Sequence, residues 1–352
     1  VANYELGNYL LAQKHFEKAL QFSSNDELIL EYIYFCYVFS GRFEEARWFS
    51  KKFPESLSTK LKTDSLSPFA YVIAEGGAKL ADSSRIFETG KYFHAGLSHY
   101  VANRFSLFHA VTYFGQGFTD GKALSGQSTQ FQYFLRATIP LKKNWQIAPA
   151  FHVIHKSVLL HLPIPPPPQP PPGQPPPPKM PTHKDTTTKD NYFVGSFIIK
   201  KSIPQFNFGF SSTVSSVFGA TQFQHGLSVS FLPVKAKWFI IGSNAFIHSE
   251  NSYATNYFGA TPFLCLKPFK AFSLTTSYLL NTGGKNIVEE DGYIVNNSSD
   301  LTTSRLSFTA SVTVSKQLDL YALYAYENKQ ESTNKYVYHY NMFVFGIKIK
   351  AK

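Results

Sequence analysis

The stretch that decides the fold is Thr303-Ser304-Arg305-Leu306-Ser307-Phe308-Thr309-Ala310-Ser311-Val312-Thr313-Val314-Ser315. From Arg305 onward, polar and apolar side chains alternate without a break. Successive side chains of a β-strand point to opposite faces, so this pattern predicts a long strand with one polar and one apolar face. The run is too long and too regular for an amphipathic helix, whose apolar positions recur every three or four residues.

The same unit recurs from Phe69 to the C-terminus, and its repetition predicts one sheet of fourteen strands. The predicted strands are 69–81, 91–103, 105–117, 129–142, 145–156, 191–203, 206–218, 221–233, 238–249, 254–267, 272–281, 303–316, 318–327 and 335–350.

The breaks between these strands are of two kinds, which alternate strictly along the chain. One kind is short and often basic, as at Leu141-Lys142-Lys143-Asn144. The other is usually longer and more polar: 118–128, 157–190, 281–302 and 327–334. Short turns at one end and long loops at the other are typical of a transmembrane antiparallel β-barrel, and a closed sheet satisfies every backbone group in lipid. Residues 69–352 are therefore predicted to form a barrel in a bacterial outer membrane.

An even number of strands places both ends of the barrel sheet on the periplasmic side. The short turns and the N-terminal segment are then periplasmic, and the long loops are extracellular. Among these loops, residues 157–190 contain the proline-rich run from Pro163 to Pro178. Proline cannot donate to a sheet and favours an extended polyproline II conformation, so we expect a stiff extracellular loop.

Composition narrows the class of partner. Charged residues make up 16% of the 352, below the ~25% usual for soluble domains. The formal net charge is +11, but the basic residues are spread over turns and strand ends rather than clustered. Nucleic-acid binding needs a patch or a recognisable module, so it is not expected. Outer-membrane lipid and lipopolysaccharide are the expected partners.

On the predicted strands, one set of polar side chains shares the face opposite the apolar belt and is expected to line the lumen. The predicted lumen residues are Glu75, Lys79, Gln130, Gln132, Arg136, His152, Arg305, Ser307, Ser311 and Glu327. A lumen rich in hydroxyl and amide groups suits hydrogen bonding to water or glycan. The alternative is that these groups are ordinary solvated filler.

Aromatic side chains near the strand ends are expected to form the belts at which lipid meets water. The predicted membrane-interface residues are Trp145, Trp238, Tyr324, Tyr326, Tyr336 and Tyr338. The alternative for the tyrosines is a platform that stacks on sugar rings.

Residues 1–60 show a sequence pattern different from that of the barrel, and residues 61–68 are predicted to be a linker. Positions 34 apart match in character, with the predicted packing residues Gly7, Tyr9, Ala12, Gly41, Phe43 and Ala46. This spacing resembles the tetratricopeptide repeat, in which small residues allow close helix crossings and aromatics fill the space beside them. In that register Val1 falls inside a helix, and we expect further repeats upstream. The alternative is a helical hairpin docked under the barrel.

Motifs for chemistry are missing. No histidine stands at a metal-ligand spacing with cysteine or carboxylate, and neither a phosphate loop nor a nucleophile elbow occurs. Cys36 and Cys265 are expected to be packing residues. We therefore expect a protein that is not an enzyme and has no metal and no cofactor.

Tetratricopeptide-like repeats followed by one barrel are similar in arrangement to the outer-membrane exporters of bacterial exopolysaccharides. That resemblance implies export of a polymer, most simply a polysaccharide, with the repeats binding protein partners and the lumen a glycan polymer. Two alternatives stay open: a membrane-anchored scaffold of a secretion, assembly or attachment complex, and a passive porin.

Overall fold

The computed structural model describes residues 1–63, 67–81, 87–101, 104–119, 125–164, 183–233, 238–295, 300–331 and 335–351. Five short helices come first: α1 Ala2–Glu5, α2 Tyr9–Leu20, α3 Glu27–Phe39, α4 Phe43–Ser50 and α5 Glu55–Leu61. Among the described residues, no helix has both the length and the hydropathy needed to cross a membrane.

The strands follow in this order: β1 Phe69–Ala81, β2 Gly90–Val101, β3 Phe105–Thr119, β4 Ser125–Leu141, β5 Trp145–Pro163, β6 His183–Ser202, β7 Phe206–Ser215, β8 Gln222–Phe231, β9 Phe239–Glu250, β10 Thr255–Phe269, β11 Phe272–Asn281, β12 Val288–Glu289, β13 Ile294–Val295, β14 Leu301–Thr313, β15 Leu318–Gln330 and β16 Val337–Lys350.

Fourteen of these strands form one closed antiparallel barrel, as the sequence predicts. Each strand pairs with its neighbours in the chain, and β11 pairs with β14 because β12 and β13 form a separate small hairpin. The barrel closes where β1 pairs with β16, from Tyr71 opposite Lys350 to Ala81 opposite Tyr340.

The outer face of the barrel is apolar and exposed. Phe131, Leu227, Phe258 and Phe345 are each more than half exposed, an accessibility that would be unfavourable in water. Their polar neighbours along the same strands point inward. The alternation quoted for β14 therefore has its apolar face outside, which is the arrangement that lipid requires.

The boundaries of the longest connection differ from the prediction. Residues 157–190 were expected to form one loop, but β5 continues to Pro163 and β6 begins at His183, with Pro163 opposite His183. β-branched residues such as Thr186 favour an extended backbone, so the pairing continues past the predicted ends. The remaining proline-rich residues 165–182 lie outside the described part of the chain, and an extracellular position for this loop stays a prediction.

The N-terminal helices share a small core of their own, made by Ala12, Phe16, Leu30, Ile33, Cys36, Phe49 and Leu57. Asp26 caps α3, since its carboxylate accepts hydrogen bonds from the backbone N–H groups of Leu28 and Ile29.

The predicted repeat positions have mixed outcomes. Gly7 and Gly41 both adopt positive φ, and Ala12 and Ala46 are both 2% exposed. Tyr9 contacts Tyr4 edge to face, with 5.6 Å between ring centroids. Phe43 does not fill the matching space: it is 50% exposed, so the prediction that it packs between helices is wrong. The segment is a short cluster of five helices.

The helices dock on the end of the barrel at which the short turns lie, called here the short-turn end. The Ser106 hydroxyl donates to the Glu44 carboxylate at 2.7 Å, and the Arg47 guanidinium lies 3.8 Å from the ring centroid of Tyr100. Arg47 also donates to the Ser67 carbonyl just before β1. Ser106 and Tyr100 face inward, so α4 lies at the mouth of the lumen.

The lipid-facing assignment predicts unequal costs for arginine on neighbouring residues. Leu135 lies on the outer face near the middle of β4, and Gln132 lies on the inner face of the same strand. Leu135→Arg should cost roughly 2–4 kcal/mol of unfolding free energy, because the guanidinium would face hydrocarbon. Gln132→Arg, on the inner face that lines the cavity, should cost much less. Equal losses in equilibrium unfolding from lipid vesicles would contradict the assignment.

The docking of α4 should depend on pH. Burial raises the pKa of Glu44 above its usual range, and the hydrogen bond from Ser106 offsets this only in part. A carboxyl whose folded-state pKa is raised binds its proton more tightly when docked, so docking weakens as pH rises from the unfolded-state pKa through the folded-state pKa.

Glu44→Gln should remove this pH dependence while keeping an acceptor for Ser106. The measurement is the rate of proteolysis between α5 and β1 across pH 4–8, a window chosen around the ordinary glutamate pKa of about 4.3. Glu55→Gln, on the exposed face of α5, is the matched control and should behave as the wild type. An unchanged pH profile for Glu44→Gln would contradict the proposed linkage.

Candidate functional site

The connection between β11 and β14 folds into the lumen instead of outward. Within it, Val288 pairs with Val295 and Glu289 with Ile294, so β12 and β13 form a two-rung hairpin. The turn between them contains Gly292 at φ +90°, a conformation that a side chain strongly disfavours. Residues 282–295 are called here the crossing segment.

Apolar contacts hold the crossing segment against the lumen wall. Val288 and Val295 pack in one buried cluster with Ile154 of β5 and Val194 of β6. On the other side, Ile287 packs with Phe246 and Leu279. Because these side chains are almost fully removed from water, each contributes about 1.5–3 kcal/mol to the inward position of the segment.

Tyr293 extends this contact to three more strands. Its ring lies edge to face with Phe134 at 5.2 Å and tilted to Phe108 at 5.8 Å between centroids. Its hydroxyl is 2.5 Å from Nε2 of His94, whose Nδ1 is 2.8 Å from the Thr112 hydroxyl. Tyr293 therefore connects the segment to β2, β3 and β4.

A chain of charged groups connects the segment to the strands near its own ends. The Arg305 guanidinium donates to Glu289 at 2.5 Å and lies 3.5 Å from Glu327, while the Lys79 ammonium lies 2.6 Å from Glu327. All four side chains are largely buried in the lumen. Removing any one of the four groups would leave a desolvated charge without its partner, so these ion pairs stabilise the structure only when all four groups are present.

The segment reaches the opposite side of the barrel. Counted in either direction around the wall, β5 is seven strands from β14. A Cβ atom added to Gly292 would lie 2.8 Å from the Ser196 hydroxyl oxygen on β6 and 3.7 Å from Cβ of Ala150 on β5. In addition, Nδ1 of His152 lies 3.4 Å from the Gly292 carbonyl oxygen. The crossing segment thus spans the lumen and narrows it.

A cavity of about 920 Å³ remains beside the crossing segment. One wall of this cavity is built mainly from small polar side chains of β7 to β14: Asn207, Ser211, Ser228, Ser230, Asn244, Thr261, Thr275, Ser277, Ser307 and Thr309. Aromatic rings contribute to another part of the wall, where Phe87, Phe114 and Phe118 are half-buried next to Gln116 and Gln130. The cavity combines hydrogen-bonding groups with ring faces.

The predicted lumen residues all point inward, but only some of them line the cavity. Lys79, Gln130, Gln132, Arg305, Ser307 and Glu327 do so. Glu75 accepts hydrogen bonds from the hydroxyls of Tyr92 and Tyr321, at 2.9 and 2.5 Å. His152 is covered by the crossing segment.

The two remaining predicted lumen residues lie closer to the short-turn end. The Arg136 guanidinium lies 5.9 Å from the ring centroid of Phe108. Ser311 stands opposite Tyr321 on the inner face.

One predicted interface tyrosine is in the wrong place. Tyr338 is 3% exposed, lines the cavity and donates its hydroxyl to Asp300 at 2.5 Å. On β16 it shares parity with Tyr340 and Met342, which also line the cavity, whereas Phe343 and Phe345 face out. The prediction of a lipid-water interface position for Tyr338 is therefore wrong.

The other predicted interface residues lie outside the lumen. Trp145, Trp238 and Tyr336 are 42%, 54% and 50% exposed. Tyr324 and Tyr326 alternate with the lumen-lining Leu323, Ala325 and Glu327 and so face outward.

The inward position of the crossing segment, with its residues Glu289 and Tyr293, was not predicted from the sequence. A signal was present: Ile287-Val288 and Ile294-Val295 are short apolar pairs on either side of Glu-Glu-Asp-Gly-Tyr, the pattern of a tight hairpin with a buried side. In a fully solvated loop those four aliphatic side chains would be exposed to water, so their presence indicates that part of the segment is buried.

No protein-family model matches the chain, and no curated protein matches it in sequence. Solved structures do. A mutant of the monoaromatic hydrocarbon channel TodX superposes with a TM-score of 0.55 at 7% identity, over 82% of this chain and 92% of that one. The toluene transporter TbuX of Ralstonia pickettii gives a TM-score of 0.52 at 8% identity, over 80% and 90%.

A bacterial polysaccharide outer membrane secretin superposes over 82% of this chain and all of its own length, with 9% identity and a TM-score of 0.41. That TM-score is too low to support an argument about function. At identities this low, the likenesses show the fold: this chain is a closed β-barrel of the kind found in outer-membrane channels and transporters.

Proposed function

We propose that this chain is an outer-membrane transport barrel that passes small polar solutes, with the crossing segment as its size filter. The observation that carries the proposal is the cavity of about 920 Å³, lined by hydroxyl and amide groups together with aromatic rings, inside a closed barrel whose outer face is apolar. That volume lies in the upper part of the ~300–1,000 Å³ range of small-molecule sites. The superposed TodX and TbuX structures, a channel and a transporter by name, support transport as the class of activity.

The chemistry of the wall favours polar solutes over the hydrocarbons named for those two proteins. A hydrocarbon would remove water from the hydroxyl and amide groups of β7 to β14 without replacing their hydrogen bonds, which costs free energy for each group left unpaired. A neutral polyhydroxylated ring would satisfy them, and the half-buried rings of Phe114 and Phe118 would cover its apolar face. A carbohydrate of one or two rings is the solute that fits best.

Export of a polysaccharide is a second candidate, favoured by the same glycan-compatible wall and by α4 at the short-turn mouth. An extended polymer would need the crossing segment to leave the barrel axis. In this version the helices form tetratricopeptide-like repeats in the periplasm, supported by the matched conformations of Gly7 and Gly41 and the matched burial of Ala12 and Ala46. They would bind the protein partners that deliver the polymer.

A blocking substitution tests transport directly. Ser307 lines the cavity, and its neighbour Phe308 is 39% exposed on the outer face. Ser307→Trp should lower the rate at which mono- and disaccharides swell proteoliposomes, because the indole would occupy cavity volume. Phe308→Trp adds the same ring on the lipid side and should swell like the wild type. A protein that admits no sugar in either form, although folded, would contradict transport and favour the scaffold alternative.

Loosening the crossing segment should have the opposite effect. Gly292→Ala places a Cβ 2.8 Å from the Oγ and 3.1 Å from the Cβ of Ser196 and strains a residue at φ +90°, so we expect the turn to shift away from the wall. The expected result in planar bilayers is a larger unitary conductance and entry of longer oligosaccharides.

Gly219→Ala is the matched control for this experiment. Gly219 also has a strained φ, +75°, but nothing lies within 4 Å of the added atom. Its conductance should equal that of the wild type. If Gly292→Ala leaves the size limit unchanged, the crossing segment is not the filter.

A further inference from the structure

The short-turn end of the barrel carries a set of exposed basic side chains, called here the basic collar. Its members are Arg104, Lys142, Lys143, Lys267, Lys270 and Lys316. They come from the ends or turns of the β2–β3, β4–β5, β10–β11 and β14–β15 connections. These connections lie on two sides of the barrel, and none of the six residues comes from the β6–β7 or β8–β9 connection between them.

Carboxylates do not balance this charge. Within the described residues of the short turns there is no aspartate or glutamate, and the described ion pairs include none of the six collar residues. The carboxylate of Asp319, two residues into β15 on the same rim, is 2.7 Å from the Lys350 ammonium. The collar therefore keeps its charge toward the surroundings.

The opposite end of the barrel differs. There the exposed charges occur in mixed signs at neighbouring positions, as in Lys184 beside Asp185 and Lys189 beside Asp190. The described residues of the short turns themselves thus carry charge of one sign, whereas both signs occur at the opposite end.

Exposed aromatic rings lie at the same level as the collar. Trp145, Trp238 and Phe269 are 42%, 54% and 72% exposed and stand at the short-turn ends of β5, β9 and β10. The Lys201 ammonium lies 4.9 Å from the ring centroid of Trp145. Indole rings prefer the headgroup level of a bilayer, so the collar lysines lie where lipid phosphates are found.

We propose that the basic collar binds the phosphate groups of anionic glycerophospholipids in the leaflet at the short-turn end. Each lysine or arginine near an anionic lipid surface increases the association constant roughly fivefold. This gain decreases as salt rises, because the Debye length over which the charges attract each other becomes shorter. The long side chains reach outward from the turns while the tryptophans and Phe269 hold the turns at the interface. The collar thus fixes the position of the barrel along the membrane normal, with its short-turn end in a phospholipid leaflet.

The test compares two quadruple variants of the full chain with the same change in net charge. One removes four collar charges: Lys142→Gln, Lys143→Gln, Lys267→Gln and Lys270→Gln. The control removes four exposed charges from the other end: Lys91→Gln, Lys184→Gln, Lys189→Gln and Lys335→Gln. Each protein is reconstituted in phosphatidylcholine vesicles, and the preference for spin-labelled phosphatidylglycerol over spin-labelled phosphatidylcholine is measured at low and high salt.

The wild type and the control variant should prefer phosphatidylglycerol, and high salt should weaken the preference. In the collar variant the preference for phosphatidylglycerol should fall by roughly fivefold or more. Circular dichroism should show that this variant is still folded. The proposal is overturned if the wild type shows no preference, or if both variants lose it equally. It is also overturned if lipid A, used as the anionic probe, gives the same preference with the same loss in the collar variant. None of these outcomes depends on whether the barrel transports a solute.

Discussion

The whole structure depends on closing the sheet. A strand edge in hydrocarbon leaves a row of backbone N–H and C=O groups without partners, at a cost of several kcal/mol for each group. Here β1 and β16 remove that edge by pairing over eleven residues. Closure requires both strands to keep one register for that whole length, from Tyr71 opposite Lys350 to Ala81 opposite Tyr340. The lumen, the crossing segment and the seat of α4 exist only because the wall is closed.

Much of the wall could be predicted from the sequence, because lipid requires an apolar side chain at every second residue of a strand. The number of strands and the two kinds of connection follow from where the alternating runs begin and end. The inward direction of Gln132 and Ser307 follows from parity. The same parity would have placed Tyr338 correctly: counting back from the outward run Phe343, Phe345 and Ile347 puts it on the inner face. For this tyrosine, nearness to a loop is a poorer indicator of position than parity along β16.

The interior could not be predicted in the same way. Lipid constrains the outer face alone, and inside the barrel a polar side chain has equal access to water, to a loop or to another wall. The contact between Tyr293 and His94 joins residues far apart in the chain, and so does that between Glu44 and Ser106. Such pairs leave no period in the sequence. The length of β5 and β6 was underestimated for a related reason, since strands beyond the bilayer no longer need an apolar face.

The crossing segment also has a mechanical consequence. A thin cylinder of fourteen strands flattens easily, because bending a sheet across its strands breaks no hydrogen bond. Joined to β11 and β14 at its ends and packed against β5 and β6 through Val288, Val295 and Gly292, the segment acts as a strut between opposite sides of the barrel. Flattening the barrel under lateral pressure from the bilayer would then have to disrupt these buried contacts, so one inward-folded segment stiffens the cross-section.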